Sequence, residues 1–334
     1  MQNFWEKLPK PFFALAPLDD VTDAAFRRLI AKHASPDVPR VFYTEFTSAD
    51  GLLLADENGK RKLMKKLAFS DIERPIVAQL FTAVPEHMEQ AARLCAELGF
   101  DGVDINMGCP DRAVEKSGCG ADLIKHPALA RELIRAAKRS DLPISVKTRI
   151  GYNEDELETW LPELLAEEPA AVVLHARTRK EMSDVPARWE RIKRAVEIRD
   201  ELESSGLILG NGDVRDLDDA RAKAGETHCD GIMLGRAVFG NPWLFADANN
   251  PEQVRGAVER TPAERIQALI EHLKLFDELL GGVTHYATMK KHFKAYISGW
   301  DGAKELRVKL METESLKEAR ELLEASKQRN LNIL

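Results

Sequence analysis

The 334-residue sequence predicts an α/β fold, a closed (β/α)8 TIM barrel followed by a helical C-terminal domain. Three observations carry that prediction. Eight short apolar runs alternate with amphipathic stretches of helical period. The runs are apolar nearly throughout, as parallel strands covered on both faces must be. The alternation stops near residue 245, and only helical patterns follow. Eight strand–helix repeats favour a closed barrel over an open doubly wound sheet. The open sheet would also need a G-x-G-x-x-G turn after its first strand, where this chain has Ala16-Pro17-Leu18-Asp19-Asp20.

Strands are expected at residues 12–17, 41–46, 75–81, 102–108, 143–150, 171–177, 207–212 and 231–236. A helix over 86–98 puts Met88, Ala91, Ala92 and Cys95 on one face, and one over 128–138 does the same with Leu129, Leu133, Ile134 and Ala137. Thr22-Asp23 before residues 24–30, and Asp216 before 217–224, mark helix starts, because a short polar side chain there accepts from free backbone N–H groups. Residues 247–251 are turn-rich, and helices follow over 262–280, 286–296, 303–311 and 315–326. The expected domains are a barrel over 1–250 and a helical domain over 251–334.

Composition excludes several classes. With 44% hydrophobic and 31% charged residues, the chain is neither disordered nor fibrous. No apolar run approaches the roughly 20 residues of a membrane span, and residues 1–7 lack the basic and apolar regions of a signal peptide. Cys95, Cys109, Cys119 and Cys229 form no C-x-x-C and stand at no zinc-like spacing, so a reducing cytoplasm is expected and a metal site is not. The formal charge of -7 has the wrong sign for a polyanion binder, so any nucleic acid must be held by a local basic patch. Residues 255–334 carry 14 Lys and Arg against 12 Asp and Glu, a net +2 that leaves -9 for the rest. There Lys290, Lys291 and Lys294 interleave with His292, Phe293 and Tyr296, a pattern that points to RNA. The ordinary alternative is a solvated helix face.

The chemistry gathers at strand ends, the barrel edge that carries active sites. Val103, Ile105 and Met107 alternate with Asp104 and Asn106; then Gly108 frees the backbone and Pro110 ends pairing, leaving Cys109 in a polar loop. A cysteine is ordinarily a small hydrophobe, but this setting marks Cys109 for chemistry. Lys147 and Arg149, two apart on one strand, face the same way. Unless Asp104 pairs with them, they imply an anionic or electron-rich ligand. His175, Arg177 and Arg179 crowd the next strand end and favour a phosphate or nucleotide. Gly210-Asn211-Gly212-Asp213 and Gly235-Arg236 close the last two strands as a barrel phosphate site does, with backbone N–H groups and Arg236 facing the anion. A phosphate clamp, Lys147 and Gln79 at strand ends together suggest FMN, although spacing alone admits another phosphorylated ligand.

At this point the segments form a recognisable set. Ala16-Pro17-Leu18-Asp19-Asp20-Val21-Thr22-Asp23, Asp104-Ile105-Asn106-Met107-Gly108-Cys109-Pro110, Gly118-Cys119-Gly120-Ala121, Val146-Lys147-Thr148-Arg149, His175-Ala176-Arg177-Thr178-Arg179, Gly210-Asn211-Gly212-Asp213 and residues 235–245 resemble the dihydrouridine synthases, FMN enzymes that reduce uridine in tRNA. The resemblance runs in order from residue 12 to about 311. It implies that NADPH reduces FMN, that hydride passes to uracil C6, and that Cys109 gives the proton to C5 from the opposite face. It implies that Pro17, Leu18, Gln79, Lys147, His175, Asn211, Gly212, Asp213, Gly235 and Arg236 contact FMN. Asn106, with Arg149, Arg177 and Arg179, would hold the uridine, and Lys290, Lys291 and Lys294 the RNA. The base must leave its stack to be reached. The expected partner is tRNA, in the cytoplasm and away from membranes, with the chain acting as a monomer. Leu18, Asp19 and Asp20 stand where the family usually has Met and small residues, and Ala176 where it commonly has Gly. Three other readings stay open: the same reaction on ribosomal RNA, an FMN-barrel reductase of a free pyrimidine like dihydroorotate or dihydropyrimidine dehydrogenase, and a non-catalytic RNA binder. The basic tail has no role in the second, and an intact Cys109 none in the third.

Overall fold

The computed structural model describes residues 3–246 and 260–331, with side chains of the last helix described as far as residue 328. The chain divides into two compact units. One comprises Met1–Leu18, Pro39–Leu67 and Arg74–Gly235; the other comprises Asp19–Val38, Ala68–Glu73 and Arg236–Leu334.

The first unit is the expected barrel. Its strands are β1 (Phe12–Leu15), β2 (Arg40–Tyr43), β3 (Thr47–Ser48), β4 (Ile76–Phe81), β5 (Gly102–Met107), β6 (Ile144–Arg149), β7 (Ala171–His175), β8 (Leu207–Asn211) and β9 (Gly231–Leu234). All pairings are parallel, in the order β2-β1-β9-β8-β7-β6-β5-β4-β3, and a further β2–β4 pairing closes the ring. Eight strands thus make the barrel, while β3 pairs only with β4. The strand expected over 41–46 ends early: Thr44 still bonds to β4, but its hydroxyl in place of a backbone carbonyl accepts from Gln79 N–H at 3.1 Å, and the hydroxyls of Thr44 and Thr47 both donate to the Glu45 carbonyl. Phe12, Ala14, Val41, Tyr43, Val77, Ala171, Val173, Leu209 and Met233 fill the lumen, and Trp5, on the short helix Phe4–Lys7, packs against Phe12 among them.

Outside the ring, the helix Pro85–Glu97 buries Met88, Ala91, Ala92 and Cys95, the face its sequence predicts. Pro127–Lys138 buries Ala130, Leu133, Ile134, Ala136 and Ala137, with Leu129 half-buried. The helix Leu157–Leu165 connects β6 to β7 despite Pro162 in its interior, a residue that argues against helix when read alone.

The second unit is helical. The expected junction at 250/251 lies outside the described residues, and this unit also takes in 19–38 and 68–73. Side-chain pairing explains why. Phe26, on the helix Ala24–His33, stacks on His272 of the helix Pro262–Leu280 at 4.7 Å between ring centroids. Arg27, fully buried, pairs with Glu73 at 2.9 Å and donates to the carbonyls of Thr22 and Ala68. The stretch expected as one helix over 286–296 is a 3-10 turn, Tyr286–Met289, leading into the helix Lys290–Tyr296.

Candidate active site

Strand register decides which side chains share the lumen, because successive residues alternate between faces. Gln79, Asp104 and Ser145 lie level on β4, β5 and β6; Asn106 is level with Lys147, and Arg149, His175 and Asn211 are level on β6, β7 and β8. All of these belong to the alternate set that includes the lumen residues Val77, Val173 and Leu209. The barrel is therefore apolar near its strand starts and polar near its strand ends.

The Cys109 loop is held on both sides. Asn106 Oδ1 accepts from the backbone N–H of Gly108 at 3.2 Å and of Cys109 at 2.9 Å, while the Cys109 carbonyl accepts from Ala121 N–H at 2.9 Å. Gly120 makes the second contact feasible: its φ is +63°, and a Cβ there would stand 2.6 Å from the Cys109 oxygen. The Gly118–Ala121 motif is thus a backing for the thiol loop. Cys109 is half-buried, whereas Cys95, Cys119 and Cys229 are buried, and burial pushes the Cys95 thiol up to about 12.

Gln79 and Asn106, expected to contact flavin and base, also bond to each other, Asn106 Nδ2 donating to Gln79 Oε1 at 3.0 Å. Gln79 Nε2 donates to Asp104 Oδ2 at 2.7 Å, and Ser145 Oγ to Asp104 Oδ1 at 2.6 Å. Burial raises the Asp104 carboxyl to about 6 against the pull of these two bonds and of Lys147.

Lys147 has no hydrogen-bond partner among the described residues, and no ion pair joins it to Asp104. Burial, and then neighbouring Arg149, bring its ammonium down to about 8, against the opposing pull of Asp104 and Cys109.

The arginines expected near the substrate bind protein. Arg149 donates to the Gly108 carbonyl at 2.9 Å and to the carbonyls of Thr178 and Met182 at 3.0 and 2.9 Å, tying the thiol loop to the β7 loop. Burial lowers it to about 10. Arg177, 2% exposed, donates to the Val185 carbonyl, pairs with Asp213 and approaches His175 Nε2 at 3.0 Å. A guanidinium only donates, so His175 Nε2 accepts in this contact. Arg179 pairs with Glu115 and lies over the Tyr152 ring.

At the other strand ends, Asn211 donates to the Met233 carbonyl at 2.8 Å. Gly212 has φ +127°, a conformation that suits glycine, and exposed Asp213 follows at φ +51°. Pro17 is buried; Leu18 and Gly235 are half-buried. Arg236 is exposed and opens the short helix Arg236–Val238 of the second unit.

In the second unit, Lys290 donates to the Met311 carbonyl, Lys291 pairs with Asp20 at 2.8 Å, and exposed Lys294 has no partner among the described residues. The acidic departure at Asp20 therefore anchors a basic helix. His292, Phe293 and Tyr296 are buried core residues, so the rings whose interleaving points to RNA in the sequence pack inside the protein. Helical period turns the lysines outward and buries the rings, with Phe293 forming part of the groove wall between them. The lysines line a groove of about 710 Å³ together with Lys304, Arg307, Val308 and Met311. Sequence reading missed Lys304 and Arg307 because they belong to another helix, Ala303–Glu312.

A parallel eight-stranded barrel with a backbone-clamped thiol and polar residues at its strand ends defines an α/β-barrel enzyme. The family described as Dihydrouridine synthase (Dus) matches residues 14–332. "Probable tRNA-dihydrouridine synthase" of Staphylococcus epidermidis is 41% identical over 325 residues, 97% of this chain and 96% of the relative. "Probable tRNA-dihydrouridine synthase 2" of Bacillus subtilis is 42% identical over 325 residues, again covering 97% and 96%. This chain belongs to the dihydrouridine synthase family. Among solved structures, histamine dehydrogenase from Rhizobium sp. 4-9 shares the fold with a TM-score of 0.54 at 14% identity, over 80% of this chain and 49% of that one. 2-Naphthoyl-CoA reductase does so with a TM-score of 0.51 at 14% identity, over 72% and 52%. No helix among the described residues is long and apolar enough to cross a membrane.

Proposed function

We propose that this chain reduces the C5=C6 bond of uridine in tRNA to 5,6-dihydrouridine in the cytoplasm, using FMN with NADPH as reductant and Cys109 as the proton donor to C5. The single observation that supports this most is the half-buried thiol on a loop held by Asn106 at the Cys109 N–H and by Arg149 at the Gly108 carbonyl, beyond the strand position level with Lys147. The residues fit a flavin: Lys147 offers an unpartnered, partly desolvated cation to an electron-rich ring edge, level in register with Asn106. His175, Asn211, Gly212, Asp213 and Gly235 lie at the neighbouring strand ends, with Pro17, Leu18 and Gln79 as further contacts. Pairing with Arg177 neutralises Asp213, removing a charge that would repel phosphate. When bound and reduced, a flavin held by these residues would supply the hydride to C6. Saturating the bond also needs a proton at C5, and a thiol on a fixed loop provides it. Asn106 keeps one amide hydrogen for the base, while Arg149, Arg177 and Arg179 act on substrate through the loops they hold. Lys290, Lys291 and Lys294 hold the RNA backbone.

The test is one cuvette. Flavin absorbance that bleaches with NADPH under anaerobic conditions and returns on adding unmodified tRNA supports cofactor, reductant and substrate together. Return only with ribosomal RNA or a free pyrimidine moves the substrate, and a colourless protein that takes up no FMN overturns the reading.

A further inference from the structure

We infer that Asp104 is a positioning residue for the Cys109 thiol, acting through a chain of side-chain hydrogen bonds whose direction it sets. The inference rests on the reading of Cys109 as proton donor. Asp104 is fully buried, and both of its oxygens act as acceptors, Oδ1 from Ser145 Oγ at 2.6 Å and Oδ2 from Gln79 Nε2. Gln79 must therefore turn its NH2 to Asp104 Oδ2, 2.7 Å away, and its oxygen outward. That oxygen accepts from Asn106 Nδ2 at 3.0 Å, which turns Asn106 in the same sense. Asn106 Oδ1 is thereby aimed at the N–H groups of Gly108 and Cys109.

A half-turn of either amide changes its shape very little, so packing alone does not choose the direction. With Asn106 reversed, its NH2 would face two backbone N–H donors, and the loop would lose the acceptor that holds it. With Gln79 reversed, its oxygen would face a carboxylate. The carboxyl end of the chain, two side chains away from the thiol loop, thus favours the direction seen at its other end. Strand register lays out the path: Gln79, Asp104 and Ser145 are level across β4, β5 and β6, and Asn106 lies two residues beyond Asp104 on the same face.

Asp104→Leu keeps the shape and removes both acceptors, whereas Asp104→Asn keeps an acceptor for Gln79 and offers its amide to Ser145. The first measurement is the rate of Cys109 alkylation by iodoacetamide on the full chain, read by peptide mapping; the other three thiols are buried. Asp104→Leu is expected to change that rate about threefold or more, and Asp104→Asn, which can turn either end of its amide to Gln79, to change it less. Gln79→Met breaks the chain one link on and is expected to reproduce Asp104→Leu, which covers the case where Asp104→Leu does not fold. In single turnover, Asp104→Leu is expected to slow reoxidation by unmodified tRNA about tenfold, leave reduction by NADPH within about twofold, and cost nothing more on a Cys109→Ala background. Unchanged alkylation in Asp104→Leu and Gln79→Met overturns the inference. So does equal slowing with and without the thiol, the mark of a merely structural residue. Full turnover in Cys109→Ala alone overturns the acid reading instead, and the alkylation rates still decide whether Asp104 positions the thiol.

Discussion

At the scale of single residues, the proposed chemistry rests on Lys147 and Cys109. Because the ammonium of Lys147 sits near 8 rather than its ordinary 10.5, the native state binds fewer protons than the unfolded chain between those values. The charged lysine therefore opposes folding fully below about 8, and stability rises with pH from there to about 10.5. Lys147→Met should stabilise the flavin-free protein at neutral pH by about 2 kcal/mol, after discounting for partial exposure, with the gain fading as pH rises through that window. Urea midpoints across pH check this. The same variant should bind FMN at least about tenfold more weakly at pH 7 by fluorescence titration, because the ring edge loses its cation. Cys109→Ala should keep the yellow flavin and its reduction by NADPH but lose about a hundredfold or more in dihydrouridine formation, measured by nucleoside mass spectrometry. Both residues were legible from the sequence as a lysine and a thiol at strand ends. What Gln79, Asn106, Arg149 and Arg177 bond to was not, since each partner arrives from a different strand or loop.

Among the elements, the helix Lys290–Tyr296 shows how one stretch serves two faces. Its outward lysines line the groove, while its inward His292 meets His272 at 4.6 Å and an edge-on 75°, with Phe26 and Tyr296 around them. Neither His292 ring nitrogen nor His272 Nε2 has a hydrogen-bond partner among the described residues. Burial, with Lys291 adding to it, lowers His292 to about 4, and burial with His292 takes His272 well below its ordinary value. The native state therefore binds fewer protons than the unfolded chain below pH 6.5, and stability falls as pH drops from 6.5 towards 4. His292 alone accounts for about 3 kcal/mol of that loss. His292→Phe should remove much of the acid sensitivity, seen as a flatter dependence of the urea midpoint between pH 6.5 and 4. The sequence showed a basic helix with rings at intervals; their burial needed the helices Ala24–His33 and Pro262–Leu280, one far away in the chain.

For the whole molecule, charge sets the terms on which RNA is met. The chain carries -7 overall, so under the proposed function attraction would come from the basic groove, and each phosphate neutralised there would add to the salt dependence of binding. Replacing Lys290, Lys291, Lys294, Lys304 and Arg307 by Ala should weaken tRNA binding and flatten the slope of log K against log salt by about 0.7 to 0.9 for each phosphate that is no longer neutralised, with flavin reduction by NADPH unchanged. Unaltered affinity at low salt would remove the groove from the interface. The sequence by itself determined the barrel, its eight strands, the family and the helical tail, because apolar period and strand-end motifs are local properties of the chain. Only the tertiary structure decided that 19–38 and 68–73 belong with the C-terminal helices, that Arg149 and Arg177 hold loops, and that Asp104 reaches the thiol loop through two amides. Those are facts of register and burial between segments far apart in sequence, and a linear pattern carries no distance between them.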